Sequence, residues 1–323
     1  MATLKLFDSL PPCYEYKRRM ASSVFKVISP AQGTFADASL SGGALCLYAK
    51  ALGYRVETAD DSPAGYIMGK ALIENNRAKI NDIDIKRLLT GQPKRSFITE
   101  NFVPEAFTAK HAEFLERAFD RAIADIGASP KQWLLLYLLI RFVYKVRPFM
   151  KYASHVTTIP VEDWRVEYTQ SRGFYSALKT VLRPVDEILN ELAGQINRGI
   201  IDNAKENQVG RDAPLDFLLR TEADAVYMEP YSKRESFHML DEILKGHRFK
   251  ERKEDDSEDP QRAAKMFEAA EHIPVWVVGV RNPDHADNLA EIMKGCRKVE
   301  RYRISHMSKG EQKGQSYLLV GRA

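Results

Sequence analysis

The chain has 323 residues, of which 44% are hydrophobic and 28% charged, and a formal net charge of +4. This is ordinary globular composition, long enough for a core domain carrying a second unit, and the mild basic excess permits nucleic-acid binding without arguing for it. Three scattered cysteines, Cys13, Cys46 and Cys296, form no CxxC pair, so neither a zinc site nor a disulfide framework is expected.

In chain order, the stretch MATLKLFDSLPPCYEYKRRM lacks the apolar run of a signal peptide. Gly33 to Asp37 reads as a strand that ends in a small-residue turn, Asp37-Ala38-Ser39-Leu40-Ser41-Gly42-Gly43. ALCLYAKA, residues 44–51, has helical apolar spacing, and Gly53 closes it as a C-terminal cap would. Tyr54 to Thr58 is a second strand, ending at Asp60 and Asp61, and Pro63 opens a helix running to Asn75. This β-α-β-α order predicts a parallel, doubly wound sheet.

Residues 77–216 read as mostly helical. AKHAEFLERAFDRAIADI carries Phe114, Leu115, Ala118, Phe119, Ala122 and Ile123 at helical spacing, and helices are also expected over 133–142 and 177–196. The apolar run from Trp133 to Ile140 is far shorter than the roughly 20 residues of a membrane span, so it reads as a buried helix of a soluble, cytoplasmic protein. Lys145, Arg147, Lys151, Arg165, Arg172, Lys179 and Arg183 are interleaved with Tyr144, Phe149, Tyr152, Trp164, Tyr168, Phe174 and Tyr175. A nucleic-acid surface needs such a mixture, since phosphates want cations and unstacked bases want flat partners; a solvated helix face over a satisfied core has the same composition.

From about residue 217 strands return. Ala223 to Met228 and the nearly all-apolar Pro274 to Val280 are strand candidates, the second central; Glu300 to Ser305 and Gln315 to Val320 form a closing antiparallel pair. HRFKERKEDDSEDPQRAAK, residues 247–265, is a dense charge run expected to be a surface loop.

The first strand-turn-helix suits a ligand approaching the backbone, and about 20 residues later the second strand ends in an acid able to bind both ribose hydroxyls of a nucleoside. Asp60 is the first choice for that acid and Asp61 its rival. The same segment, DASLSGGALCLYAKALGYRVETADDSPAGYIMGKALIEN, resembles the DNA adenine methylase family, whose pattern is close to DxFxGxGxxxxxAKxxGYxVxANDxxxxSYxxxKALIEN. The resemblance implies a Rossmann-like methyltransferase fold built from residues 1–76 and 217–323. It makes 77–216 an inserted helical target-recognition domain. It implies S-adenosylmethionine as cofactor, held by Asp37, Ser39, Ser41, Gly42, Gly43, Asp60 and Asp61. Ser41 replaces the family's first glycine. Upstream, EYKRRM resembles GSKRxL, by which Lys17 would pair with the cofactor carboxylate; a solvent-exposed lysine is the other reading.

ADAVYMEPYSKRESFHMLDEILKG resembles the family's methyl-transfer loop, AVYLDPPYTxRQYxxxYHxLETI. There an acid and a proline-constrained carbonyl accept the two hydrogens of the adenine amine and free its lone pair for attack on the sulfonium methyl group, while an aromatic stacks on the flipped base. Glu229, Pro230 and Tyr231 match these roles, with glutamate in place of aspartate and one proline fewer. A second register puts Met228 in the acid's place. HIPVWVVGVRNPDHADNL puts Gly279-Val280 where the family has serine-tyrosine. FITENFVPEAFTAKHAEFLERAFDRA, SRGFYSALKTVLRPV and the tail RYRISHMSKGEQKGQSYLLVGR extend the likeness over nearly the whole chain. Implied partners are double-stranded DNA with a flipped base and a possible protein subunit, in restriction-modification or phage defence; no metal and no membrane is expected. The competing expectation is a catalytically impaired homologue that acts as a DNA-binding or complex subunit.

Overall fold

The structure is a computed structural model that describes residues 5–11, 15–28, 33–103, 106–124, 129–146, 183–231, 240, 243–244, 259–307 and 313–323. In chain order its regular elements are α1 (Glu15–Val27), β1 (Thr34–Asp37), α2 (Ala44–Ala51), β2 (Arg55–Ala59), α3 (Pro63–Met68) and a π-helical turn (Gly69–Glu74). Next come α4 (Asp82–Leu89), α5 (Phe97–Phe102), α6 (Ala109–Ala124), α7 (Pro130–Val146) and α8 (Val185–Arg198). The chain closes with β3 (Gln208–Gly210), α9 (Pro214–Leu218), β4 (Ala225–Met228), α10 (Pro260–Ala269), β5 (Val275–Val280), α11 (Pro283–Lys294), β6 (Lys298–Met307) and β7 (Lys313–Arg322). Two compact units result, one from 13–77, 201–236 and 251–323, the other from 1–12, 78–200 and 237–250.

The first unit holds one seven-stranded sheet in the order β3-β2-β1-β4-β5-β7-β6. β3, β2, β1, β4 and β5 run parallel, and β7 joins β5 antiparallel. It is the expected mixed α/β, mostly parallel sheet, and it fits a Rossmann-like methyltransferase fold. Alternation along each strand sets the two faces. Phe35 meets Phe25 of α1 at a ring distance of 4.8 Å, whereas Ala36, Val226, Met228, Trp276, Val278 and Val280 enter the core built with α9, α10 and α11. Trp276 stacks on Phe267 at 5.4 Å and donates its indole N–H to the Ala270 carbonyl at 2.8 Å, so this large side chain is buried with its polar atom satisfied. The edge strand β6 exposes Lys298, Glu300, Arg301 and Arg303, charges that discourage pairing with another chain.

Several boundaries differ from the sequence expectation. Residues 201–216, expected in the helical segment, join the sheet unit because β3 pairs with β2 through Glu57↔Gln208 to Ala59↔Gly210. A three-residue strand is too short for periodicity to announce it. The expected charge-run loop ends at Asp259, which caps α10 by accepting from Gln261 N; its remaining residues 247–258 lie outside the described residues.

The helical unit packs α6, α7 and α8 around a core that includes Phe114, Phe119, Leu136, Phe142, Ile188 and Leu192. α7 is buried nearly all round, and its Arg141 donates to the Asp8 and Ser9 carbonyls and, at 2.9 Å, to Gln195. Tyr137 adds a 2.7 Å bond to Ser9 O, which ties residues 7–9 to this unit. Among the described residues no helix is long and apolar enough to cross a membrane. Residues 147–182, with most of the basic-aromatic mixture read from the sequence, lie outside the described residues. Of the cations that are described, Lys145 and Arg183 both pair with Glu191, at 3.0 and 2.6 Å.

Candidate functional site

The strand order runs outward from β1 through β2 to β3 on one side and from β4 to β5 on the other. The carboxyl ends of β1 and β4 therefore meet where the winding reverses, the position at which open α/β sheets bind ligands. β1 and β4 pair directly, Phe35↔Ala225 to Asp37↔Tyr227. This puts the turn after Asp37 beside Glu229 and Pro230.

The turn is fixed across three strand tips. Ala38 N donates to Tyr227 O at 3.0 Å, Leu40 N to Ala59 O at 3.1 Å, and Gly43 N to Leu40 O at 2.8 Å. Ser41 has φ of +50° and Gly43 of +72°, so both are left-handed; Gly43 occupies the position before α2, where glycine is cheap, while serine at 41 carries strain. Ser39 N donates to Asp37 at 3.1 Å, and the hydroxyls of Ser39 and Ser41 lie 3.1 Å apart. Gly42 is buried within the turn.

Asp60 is brought onto this turn and accepts from Ser41 N at 3.1 Å. Its other oxygen accepts from Ser62 N at 2.9 Å and from the Ser62 hydroxyl at the start of α3. Gly65 makes this possible, since a Cβ there would fall 2.3 Å from the Asp60 carboxyl group. Asp61, the rival acid, is buried at 5% exposure. The geometry joins Asp60 to the glycine turn.

Lys17, on α1, is 2% exposed, which overturns the solvent-exposed alternative. Its ammonium donates to both Asp37 oxygens at 3.2 Å and to Ser39 O at 2.6 Å. It also lies 3.9 Å from Glu229 Oε2 and 5.0 Å from the centre of the Tyr227 ring. Burial works to lower the lysine's pKa, but Asp37 and Glu229 outweigh it and raise the value above that of an ordinary lysine. Burial pushes the Asp37 carboxyl up to about 6, against the pull of Lys17. The ammonium's hydrogens are thus spent inside the protein, on Asp37 and on the turn.

Glu229 follows β4 and its side chain is 7% exposed. Tyr227 donates its hydroxyl to Glu229 Oε1 at 2.7 Å. Met228 points into the opposite core, so the register with Met228 in the acid's place puts no polar group at this strand tip. Pro230 is buried. Tyr231 donates to Asn288 at 2.9 Å and sets its ring edge-on to His285 at 5.1 Å, both on α11. Lys17, Asp37, Ser39, Ser41, Asp60 and Glu229 therefore gather around one switch point, whereas Tyr231 packs against the core on the Met228 face.

Sequence reasoning missed Tyr227, His285 and Asn288. Tyr227 stands two residues before Glu229, the spacing that puts two side chains on one face of a strand, so a signal was present. His285 and Asn288 follow β5 and gave none. Among the described residues no group of His, Cys, Asp and Glu is placed to hold a metal ion.

Comparison with known proteins adds a likeness that is not confined to motifs. No family model matches the chain. Over 309 residues it is 21% identical to the type II methyltransferase M2.HphI of Haemophilus parahaemolyticus, a match spanning 91% of this chain and 90% of that protein.

Proposed function

We propose that this chain is an S-adenosylmethionine-dependent methyltransferase acting on the amino group of adenine in double-stranded DNA. One observation carries the reading: Glu229 and the Ser39–Gly43 turn stand on adjacent strand tips at the switch point, linked through Lys17 and Asp37. The full-length likeness to a type II methyltransferase supports it.

The donor set suits the cofactor. Asp60 follows β2 and is bound to the turn through Ser41 N, and the left-handed turn admits close approach to the backbone. Asp60 would hold the ribose hydroxyls, with Asp61 beside it, and Ser39, Ser41, Gly42 and Gly43 would lie along the methionine part. The cofactor supplies a sulfonium-bound methyl group. Lys17 takes a different part from the one the resemblance implies: it neutralises Asp37 and Glu229 and pins the turn through Ser39 O.

In this reading Glu229 and the Pro230 carbonyl accept the two hydrogens of the target amine, which frees its lone pair for in-line attack. Tyr231, braced by Asn288 and His285, stacks on the flipped base. The helical segment reads the DNA, and restriction-modification or phage defence is the setting.

A second reading, an impaired homologue acting as a DNA-binding or complex subunit, is favoured by the ties Glu229 already has to Tyr227 and Lys17. Calorimetry and methyl transfer separate the two. The proposal expects S-adenosylmethionine to bind in the micromolar range, tritiated methyl transfer to mixed-sequence DNA, and loss of transfer in Glu229→Ala. No heat at millimolar cofactor, or transfer undiminished in Glu229→Ala, overturns it. Cofactor and DNA binding without transfer on any sequence assigns the chain to the second reading.

A further inference from the structure

The resemblance matches Tyr227 to the tyrosine of AVYLDPPY without giving it a role, and it gives none to Gly279. β4 and β5 pair in parallel through Met228↔Val278, so the next positions set Glu229 opposite Gly279. Tyr227 lies diagonally across from Gly279 on the same face, within reach of a long side chain. Its ring lies over Gly279 closely enough that a Cβ there would sit 1.9 Å from the hydroxyl oxygen and 2.7 Å from the carbon bearing it. That hydroxyl belongs to a fully buried tyrosine and donates to Glu229. Any other residue at 279 would drive the ring away from the place where it meets the glutamate.

We propose that Tyr227 is a positioning residue for Glu229 and that the glycine at 279 is the opening that lets its hydroxyl reach the carboxylate. The proposal rests on the reading of Glu229 given above. It also accounts for two departures from the family pattern together. Glutamate has one more rotatable bond than aspartate, so its carboxylate needs a second anchor to be aimed. The tyrosine hydroxyl supplies it at Oε1, while Oε2 lies 3.9 Å from the Lys17 ammonium. Misplacing such an acceptor by about 1 Å costs roughly a hundredfold in rate.

The test uses Tyr227→Phe, Gly279→Ala and the double variant of the full chain. Each is followed by methyl transfer, by cofactor titration, and by the carbon-13 signal of the Glu229 carboxyl group at one fixed pH, assigned with Glu229→Gln. Tyr227→Phe is expected to lower kcat about 10- to 100-fold with cofactor Kd unchanged within twofold. It should also move the Glu229 carboxyl signal, because the hydrogen bond at Oε1 is lost. Gly279→Ala should move that signal in the same direction, and the double variant should add little to either single change. Should Gly279→Ala not fold, Tyr227→Phe, which fills the same space, decides alone. A carboxyl signal unmoved by Tyr227→Phe, or effects that multiply in the double variant, overturns the proposal. If the unaltered chain transfers no methyl group, the functional reading falls, while the carboxyl signal still judges the Tyr227–Glu229 link and its dependence on Gly279.

Discussion

Ser41 shows how a single residue departs from a pattern and still obeys it. The left-handed conformation that a glycine would take at no cost is kept by a serine with φ of +50°. Ser41→Gly is expected to stabilise the chain by about 0.5–1 kcal/mol, the relief of strain outweighing the added freedom of the unfolded chain. Urea denaturation checks this; a loss of stability would show that the contact with Ser39 outweighs the strain. Asp37 makes a prediction of pH dependence. Its carboxyl group stands at about 6 in the folded chain, because burial raises it from 3.8. Between those values the folded chain keeps a proton that the unfolded chain has released. Stability therefore falls as pH rises from about 4 to 6 and levels off above. Asp37→Asn should flatten that part of the urea-midpoint profile, and an equally steep decline in the variant would assign the slope to another group.

At the scale of elements, Lys50 explains why two parts of the sequence motif occur together. It is fully buried in α2 and donates to the carbonyls of Leu72, Ile73 and Asn75 at 3.0, 2.8 and 2.7 Å, capping the π-helical turn of the KALIEN segment. Its three hydrogens meet three backbone carbonyls of a buried segment. Lys50→Met is expected to destabilise the chain by about 2–4 kcal/mol, because the loss of three hydrogen bonds outweighs the relief of a buried charge. Equilibrium denaturation reads this directly, and a change below about 0.5 kcal/mol would mean that the carbonyls find other partners. The strands and helices of this region were legible in advance. Alternation and glycine placement announce β1, α2 and β2 because those signals are local. β3 was not legible, since its three residues become a strand through pairing with β2.

For the whole molecule, the helical unit carries a prediction about DNA. Glu191 pairs with both Lys145 and Arg183, cations that the sequence offered for phosphate contact. If they face DNA, Glu191→Gln releases them and steepens the log–log salt dependence of DNA affinity by up to about two. An unchanged slope would place Lys145 and Arg183 away from the DNA. The variant should leave cofactor affinity alone, as Glu191 belongs to the unit without the switch point.

By itself the sequence determined the alternation of strands and helices, the small-residue turn after β1, the acid after β2 and the polar tip after β4. Each is written in neighbouring residues, where period, turn chemistry and charge act over short distances. Only the tertiary structure decided what Lys17 does, which acid joins the turn, and how Tyr227, Gly279 and Glu229 fit. Those answers depend on which strands become neighbours, and that choice is made by burial of whole faces rather than by any segment alone.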